Sequence, residues 1–368
     1  MALAVCGGAY AVLAAVLTRR FMTGSPTTHS ADLAVSMIKP LHRQTAGLAE
    51  ALDSFCAQDY GGPVQLLCGV QDGGDPAATV VAALKSRRAD LDIELISDAR
   101  VYGANRKVSN LIHLAAAARH AILVLSDADI IVRADYLRTV VGALSQPGVG
   151  AVSCLYVGAG RGGPWSTLAA MAINYHFIAN AIVGQRLGLA TPCFGSTIAL
   201  TRETLTRIGG FEAFSDQLAD DYEIGRAIRA LGLQVDLPPM TVTHQCHEAT
   251  FRELVGHEIR WARTVRLINP GGHAGSLLTH AFAISLIAGA FLRFSPPAIA
   301  LIFAILGVRI AAKFAIDTTV AARAGPWWLL PVRDVLSFGV FLASFAGSSV
   351  DWQGRRYRVD RDGVLTSL

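Results

Sequence analysis

Residues 1–18 contain no charged side chain, and Arg19 and Arg20 follow at once. A secretory signal peptide carries its basic residues ahead of the apolar run. Here they come after it, which predicts a retained membrane anchor over residues 1–20 whose C-terminal side faces the cytoplasm. The run is short for a span, so a buried helix of a soluble protein is the competing reading. A second apolar region begins after Asn269. Residues 276–292 are uncharged and closed by Arg293, residues 295–308 are uncharged and end at Arg309, and residues 327–350 are apolar apart from Arg333 and Asp334. They predict two or three membrane segments within 275–350, ahead of a basic tail, 351–368. Pro331 and the Arg333/Asp334 pair mark the last segment as the one most apt to be re-entrant or interfacial. Over the whole chain 52% of residues are hydrophobic and 16% charged, against roughly 25% charged in ordinary soluble domains. That balance excludes a disordered chain and argues against a plain cytosolic enzyme. The net charge of +4 is mild. Basic residues beside apolar segments suit anionic lipid headgroups, not nucleic acid.

Between these regions, residues 32–270 alternate strand and helix. Strands are expected at 34–39, 64–70, 93–97 and 121–125, and helices from Leu41 to about 58 and over 76–88 and 108–119. This order predicts an α/β fold with a mostly parallel sheet and right-handed crossovers. Ligands in such sheets bind beyond the carboxyl ends of the strands. Asp72 and Asp75 follow one strand there, and Asp127 and Asp129 another. The six cysteines are scattered, with no C-x-x-C pair and no zinc spacing.

Three motifs carry chemistry. In extended backbone Asp127 and Asp129 project to one side, and two such carboxylates suit one hard divalent cation that also takes diphosphate oxygens. A polar turn after a strand is the plain alternative. Asp220-Asp221-Tyr222-Glu223 opens a helix expected at 223–231. Its acids serve either as helix N-terminal charges or as a general base beside an acidic neighbour. His257-Glu258-Ile259-Arg260-Trp261 begins a stripe continued by Arg263 and Arg266, just ahead of the apolar block. The stripe reads either as snorkelling arginines on an interfacial helix or as a diphosphate clamp. His244, Cys246, His247 and Glu248 alternate sides after the strand at 235–237, so they do not share one zinc ion. An approach of His244 to the Asp127/Asp129 metal stays open.

In order, QDGGDP, SDADI, ADDYE and the Arg260-Trp261 pair before membrane helices resemble the GT-A glycosyltransferases of the ceramide glucosyltransferase type, which include the bacterial hopanoid-associated enzymes. VSMIKPL, QDYGG, GANRKVSNL, the stretch from CFGST to GGFEAF, and DWQGRRYR extend the resemblance over nearly the whole chain. It implies that Asp72 and Asp75 hold uridine and ribose, that Asp127 with Asp129 hold Mg²⁺ or Mn²⁺ and the diphosphate, and that Asp221 is the catalytic base with Asp220 beside it. Arg260 and Trp261 match the R-W of the family's (Q/R)-x-x-R-W, and Lys107 and Asn110 match a donor-side K-x-x-N. His176 and Cys193 match a His and a Cys near the acceptor and donor ends. Two positions depart from the pattern: His257 replaces Gln or Arg, and Gly74 stands where an acid is common.

The resemblance implies an inverting transfer of glucose or N-acetylglucosamine from a UDP-sugar to the hydroxyl of a membrane lipid, a hopanoid or ceramide. The setting expected is the cytoplasmic face of a bacterial inner membrane, in a multi-pass chain. A polyprenyl-phosphate or polysaccharide-building transferase on the same scaffold is the alternative, although polymer export needs more long spans than follow Trp261. A non-enzymatic membrane protein with a degenerate transferase domain is the third reading, and the intact motifs argue against it.

Overall fold

A computed structural model of the chain describes residues 1–25, 32–43, 46–347, 349–352, 355–360 and 363–367. Its main sheet takes β1 (Val35–Pro40), β2 (Val64–Val70), β3 (Asp92–Ser97) and β4 (Ile122–Leu125) from the first third of the chain. A short β5 (Ile130–Ile131) follows, then β6 (Val149–Ser153), β7 (Leu155–Gly160), β8 (Ile198–Thr201), β9 (Gln234–Asp236) and β10 (Thr241–Cys246). The spatial order is β3-β2-β1-β4-β8-β6-β9. The first four strands run parallel, β8 runs antiparallel to both β4 and β6, and β9 is parallel to β6. A second sheet, β5-β10-β7, lies beside it.

The parallel half follows the hydrophobic patterning, and β2 occupies the expected 64–70 stretch. Strands buried on both faces read as near-continuous apolar runs, and β4 is buried at every position. The helix Pro76–Arg87 starts where Pro76 supplies a preset φ and the Asp75 side chain accepts from the Ala77 amide. Asn105 caps the helix Arg106–Ala117 through the Val108 amide. The helix expected from Leu41 is shorter, Leu48–Cys56; Gln44 and Thr45 of that stretch lie outside the described residues.

Among the described residues, five helical segments are long and apolar enough to cross a membrane: Ala2–Met22, Pro164–Arg186, Pro270–Phe291, Pro296–Thr319 and Trp327–Ser344. Three follow Asn269, the upper of the two numbers expected. The Pro164–Arg186 segment was not foreseen, because Asn174, His176, Asn180 and Gln185 interrupt its apolar run. It contains a π-helical turn, Ile173–Phe177, and packs on the first helix, where Tyr10 donates to Asn180 Oδ1 at 2.7 Å. The first helix also meets the later ones. A Cβ on Gly7 would lie 2.6 Å from the Leu278 carbonyl oxygen, so only glycine permits this approach.

The buried charges inside these segments are paired, as burial in an apolar bundle demands. Asp334 accepts from Arg309 Nε at 2.8 Å and Nη2 at 2.7 Å, with His176 Nε2 at 3.0 Å. Lys313 and Tyr175 both donate to Asp317, each at 2.6 Å. The tail folds into a three-stranded antiparallel sheet of β11 (Ser349–Trp352), β12 (Arg355–Val359) and β13 (Leu365–Ser367). Leu365 and Gly363 join it to the 216–218 loop through hydrogen bonds with Asp216 and Leu218. Gln353 and Gly354 of DWQGRRYR lie outside the described residues.

Candidate active site

A cavity of about 520 Å³ opens at the carboxyl ends of β1 and β4, within the size range of small-molecule sites. Asp127, Asp129, Lys107, Asn110, Cys193, Asp220, Asp221, His257, Arg260 and Trp261 all reach its wall, although the chain separates them widely. Five different elements deliver them: the β4–β5 turn, the helix Arg106–Ala117, the connection before β8 that carries Cys193, the helix Asp220–Ala230 and the helix Phe251–Ile268.

Ala128 and Asp129 form a turn, with Asp127 just ahead of it, so the two acids do not share the continuous strand expected of them. Their side chains nonetheless both face the cavity, 37% and 36% exposed. Lys39 supports this turn from beneath. It is fully buried on β1, donates to the Asp127 carbonyl at 2.7 Å, and lies 3.7 Å from the centre of the Phe55 ring. Burial draws its pKa down to about 7, against the pull of Asp129, Cys68 and Asp127.

Lys107 stands between the acids, 2.8 Å from Asp127 Oδ1 and 3.3 Å from Asp220 Oδ2. Burial disfavours its charge, but the carboxylates of Asp127, Asp220 and Asp221 outweigh that and hold its pKa far above the ordinary range. Asp127 is held above the usual carboxylate range by its recessed position, with Lys107 opposing and Asp129 adding.

Asp220 and Asp221 open the helix Asp220–Ala230, where their charge favours the helix N-terminus. Asp220 is buried and accepts from Asn105 Nδ2 at 3.3 Å. Asp221 Oδ2 accepts from the Gly195 amide at 2.9 Å, and Oδ1 from the Tyr222 amide at 2.8 Å. Burial, then the neighbouring Asp220 charge, raise the Asp221 pKa to about 6 despite Lys107 and those two amides. A recessed carboxyl tuned toward neutrality is suited to general-base work.

On the helix Phe251–Ile268, Thr250 caps the start by accepting from the Glu253 amide at 3.2 Å, and Glu253 reaches back to the Ala249 amide at 2.8 Å. The arginine stripe divides. Arg260 faces the cavity, whereas Arg263 donates to the carbonyls of Ser349 and Ala346 and Arg266 to that of Gly347. His257 Nδ1 lies 2.8 Å from Glu248 Oε1, and its ring centroid is 4.3 Å from that of Trp261. Burial lowers the His257 pKa while Glu248 opposes, which favours a neutral ring donating through Nδ1–H.

Three expected residues do not reach the wall. Asp72 accepts from the Gly74 amide at 2.9 Å. Asp75 is occupied by the Ala77 amide and the Arg43 amide, at 2.9 and 2.8 Å. His176 belongs to the helix bundle, paired with Asp334. Gln71 lines the cavity in place of the two acids that follow it. Asn110 reaches the wall while its amide donates to the Gly69 carbonyl at 2.7 Å, tying helix to strand. Cys193 is buried, and that burial pushes its thiol pKa up.

Sequence reasoning did not single out Lys39 or the aromatic wall of Tyr156, Phe177 and Phe194, whose ring centroids lie 4.4 to 5.9 Å apart. The lysine had a signal, an ammonium inside an apolar strand. The aromatic residues come from three separate elements and had none.

Among the described residues no group of three or more His, Cys, Asp or Glu side chains is arranged to hold a metal. Two cavity-facing carboxylates, with His244 Nε2 3.8 Å from Asp129, still fit one. Mg²⁺ in phosphate-transfer sites is bound through one or two carboxylates plus substrate phosphates, and Asp129's carboxylate accepts no hydrogen bond among the described residues.

The mostly parallel sheet, with an antiparallel β8 and acids beyond its carboxyl ends, is of the GT-A glycosyltransferase fold. The chain belongs to glycosyl transferase family 21, whose profile it matches over residues 1–365. It is 24% identical over 230 residues to ceramide glucosyltransferase 1 of Caenorhabditis elegans, and 22% identical over 230 residues to ceramide glucosyltransferase 3 of the same organism. Those matches cover 62% of this chain and 49% and 50% of the relatives, so the chain spans about half the length of the curated relatives it matches. Among solved structures it is similar to a mannosyltransferase from Pyrobaculum calidifontis in complex with GDP-mannose and Mn²⁺. That likeness has a TM-score of 0.55 at 22% identity and covers 94% of this chain and 98% of the other.

Proposed function

We propose that this glycosyltransferase moves glucose or N-acetylglucosamine from a UDP-sugar to the hydroxyl of a membrane lipid, a ceramide or a hopanoid, with inversion at the anomeric carbon. The observation that carries the reading is Asp221, a carboxyl raised to about 6 on the wall of the cavity that Asp127 and Asp129 also face.

Asp127 and Asp129 would hold a divalent metal, which supplies neutralising charge for the departing diphosphate. Arg260 lends a second cation to the same group. The lipid hydroxyl lies against Asp221, which takes its proton as the oxygen forms the new bond to the anomeric carbon. The bond from that carbon to the diphosphate oxygen breaks and UDP leaves. Asp220 keeps the base poised, and Lys107 balances the three carboxylates around it. Tyr156, Phe177, Phe194 and Trp261 give the cavity an apolar side for the acceptor.

The apolar segments support the lipid as acceptor and a multi-pass setting, and Arg19 and Arg20 in the last turn of the first helix support a catalytic region on the cytoplasmic face of a bacterial inner membrane. Membranes carrying the protein, given UDP-glucose or UDP-N-acetylglucosamine with ceramide and bacteriohopanetetrol, should yield one glycolipid, identified by mass spectrometry. Sugar transfer to polyprenyl phosphate alone would replace this reading by the alternative on the same scaffold.

A further inference from the structure

Arg333 sits in an apolar segment, is completely buried, and has one acidic partner among the described residues. Its guanidinium meets Glu258 in a bidentate pair, Nη1 to Oε1 at 2.6 Å and Nη2 to Oε2 at 2.8 Å. Its remaining donors go to the Leu168 carbonyl at 3.1 Å and Ser337 Oγ at 3.0 Å. The fork therefore ties three helices together, and the fixed geometry of such a pair gives orientation as well as energy.

Glu258 lies next to His257 and two residues before Arg260. At 3.6 residues per turn, His257, Arg260, Trp261 and Thr264 share the face that lines the cavity, while Glu258, Arg263 and Arg266 centre on the roughly opposite face. Every hydrogen bond described for that second face runs to the helix Leu330–Ser344 or to the segment just after it, at Ala346, Gly347 and Ser349. Asp334, one residue beyond Arg333, turns the other way and anchors in Arg309 and His176. The grip on the site helix thus starts from a residue pair fixed in the apolar bundle.

We infer that Glu258 and Arg333 are positioning residues: their bidentate pair sets the rotation of the helix Phe251–Ile268 about its axis, and so aims Arg260 and Trp261 into the cavity. The inference rests on the reading that the cavity holds a nucleotide diphosphate. Neither residue touches the reacting atoms.

The test is UDP binding in the presence of Mn²⁺, measured by calorimetry on full-length protein in lipid nanodiscs, with kcat and KM for the donor beside it. Removing one partner of a buried pair strands a charge and destabilises the fold, so Glu258→Gln and Arg333→Met are accompanied by the double variant, which strands none. Folded double variant should bind UDP roughly 10- to 100-fold more weakly, the order expected of an ångström-scale misplacement, with the pH profile of kcat unchanged. Arg333→Lys, which keeps the charge but loses the fork, should fall between wild type and the double variant. Wild-type UDP affinity and kcat in the folded double variant would overturn the positioning role and leave a structural one. Wild-type protein that binds no UDP would instead overturn the reading of the cavity on which the inference rests.

Discussion

Lys107 Nζ lies 2.8 Å from Asp127 on one side and 3.3 Å from Asp220 on the other. One buried ammonium thus joins Asp127, proposed to hold the metal, to Asp220, the neighbour of the proposed base. The two halves of the site share a charge balance, and changing the lysine should be felt at Asp221. In Lys107→Met, ionising the carboxylates becomes harder, so the acid limb of the pH–rate profile should move above the wild-type value. The profile of kcat/KM against pH checks it, and an unmoved limb would show that Lys107 does not tune the base.

In the wild type, Asp221 must be ionised to accept a proton. With its pKa raised to about 6, transfer should fall as pH drops through about 6, instead of near the ordinary aspartate value of about 3.9. Asp221→Asn should lower kcat by about 10²- to 10⁴-fold, the range of general-base contributions, with UDP-sugar binding retained. Substantial turnover in that variant would assign the base elsewhere.

Chelation by EDTA should stop transfer, and added Mn²⁺ or Mg²⁺ should restore it. Asp129→Asn should raise the metal concentration for half-maximal rate by roughly tenfold or more, at least the effect of losing an outer-shell partner. A metal titration of initial rate measures this. Undiminished transfer in EDTA would remove the role given to both carboxylates.

Gly195 offers a narrower probe. A Cβ there would lie 2.9 Å from both Asp127 Oδ2 and Lys107 Nζ. Both atoms end flexible side chains, so Gly195→Ala should leave thermal stability nearly unchanged while displacing the pair and slowing transfer. Differential scanning fluorimetry beside a rate assay separates the two effects. A large fall in melting temperature would show that the glycine serves the fold instead.

The parallel sheet was readable because strands buried on both faces leave unbroken apolar runs such as 64–70. That Asp127 would face a cavity was readable because ligands in such sheets bind beyond the carboxyl ends of the strands, and both it and Asp221 line that cavity. Asp75 shows the limit of that logic. An acid after a strand is also an acid before a helix, and here the Ala77 and Arg43 amides claim its carboxylate. The two arginines beyond Arg260 were ambiguous for a related reason: spacing gives the face of a helix but not what covers it. Arg333 and Asp334 looked like an obstacle to a membrane segment, because their partners Glu258, Arg309 and His176 are distant in sequence and only the folded chain joins them.

The close packing of the first helix has a consequence for how the protein is made. Ala2–Met22 is synthesised before the sheet, yet its neighbours around Gly7, Leu278 and Ala281, come after the sheet in the chain. The sheet is therefore synthesised while its anchor waits without those contacts, and the helix bearing Arg260 emerges before Arg333 exists to hold it. Completion of the chain draws both ends into one bundle. Nascent chains stopped short of residue 330 should carry every acid of the site and still lack the means to aim Arg260. On the positioning role inferred for Arg333, competence would then arrive with the helix Leu330–Ser344.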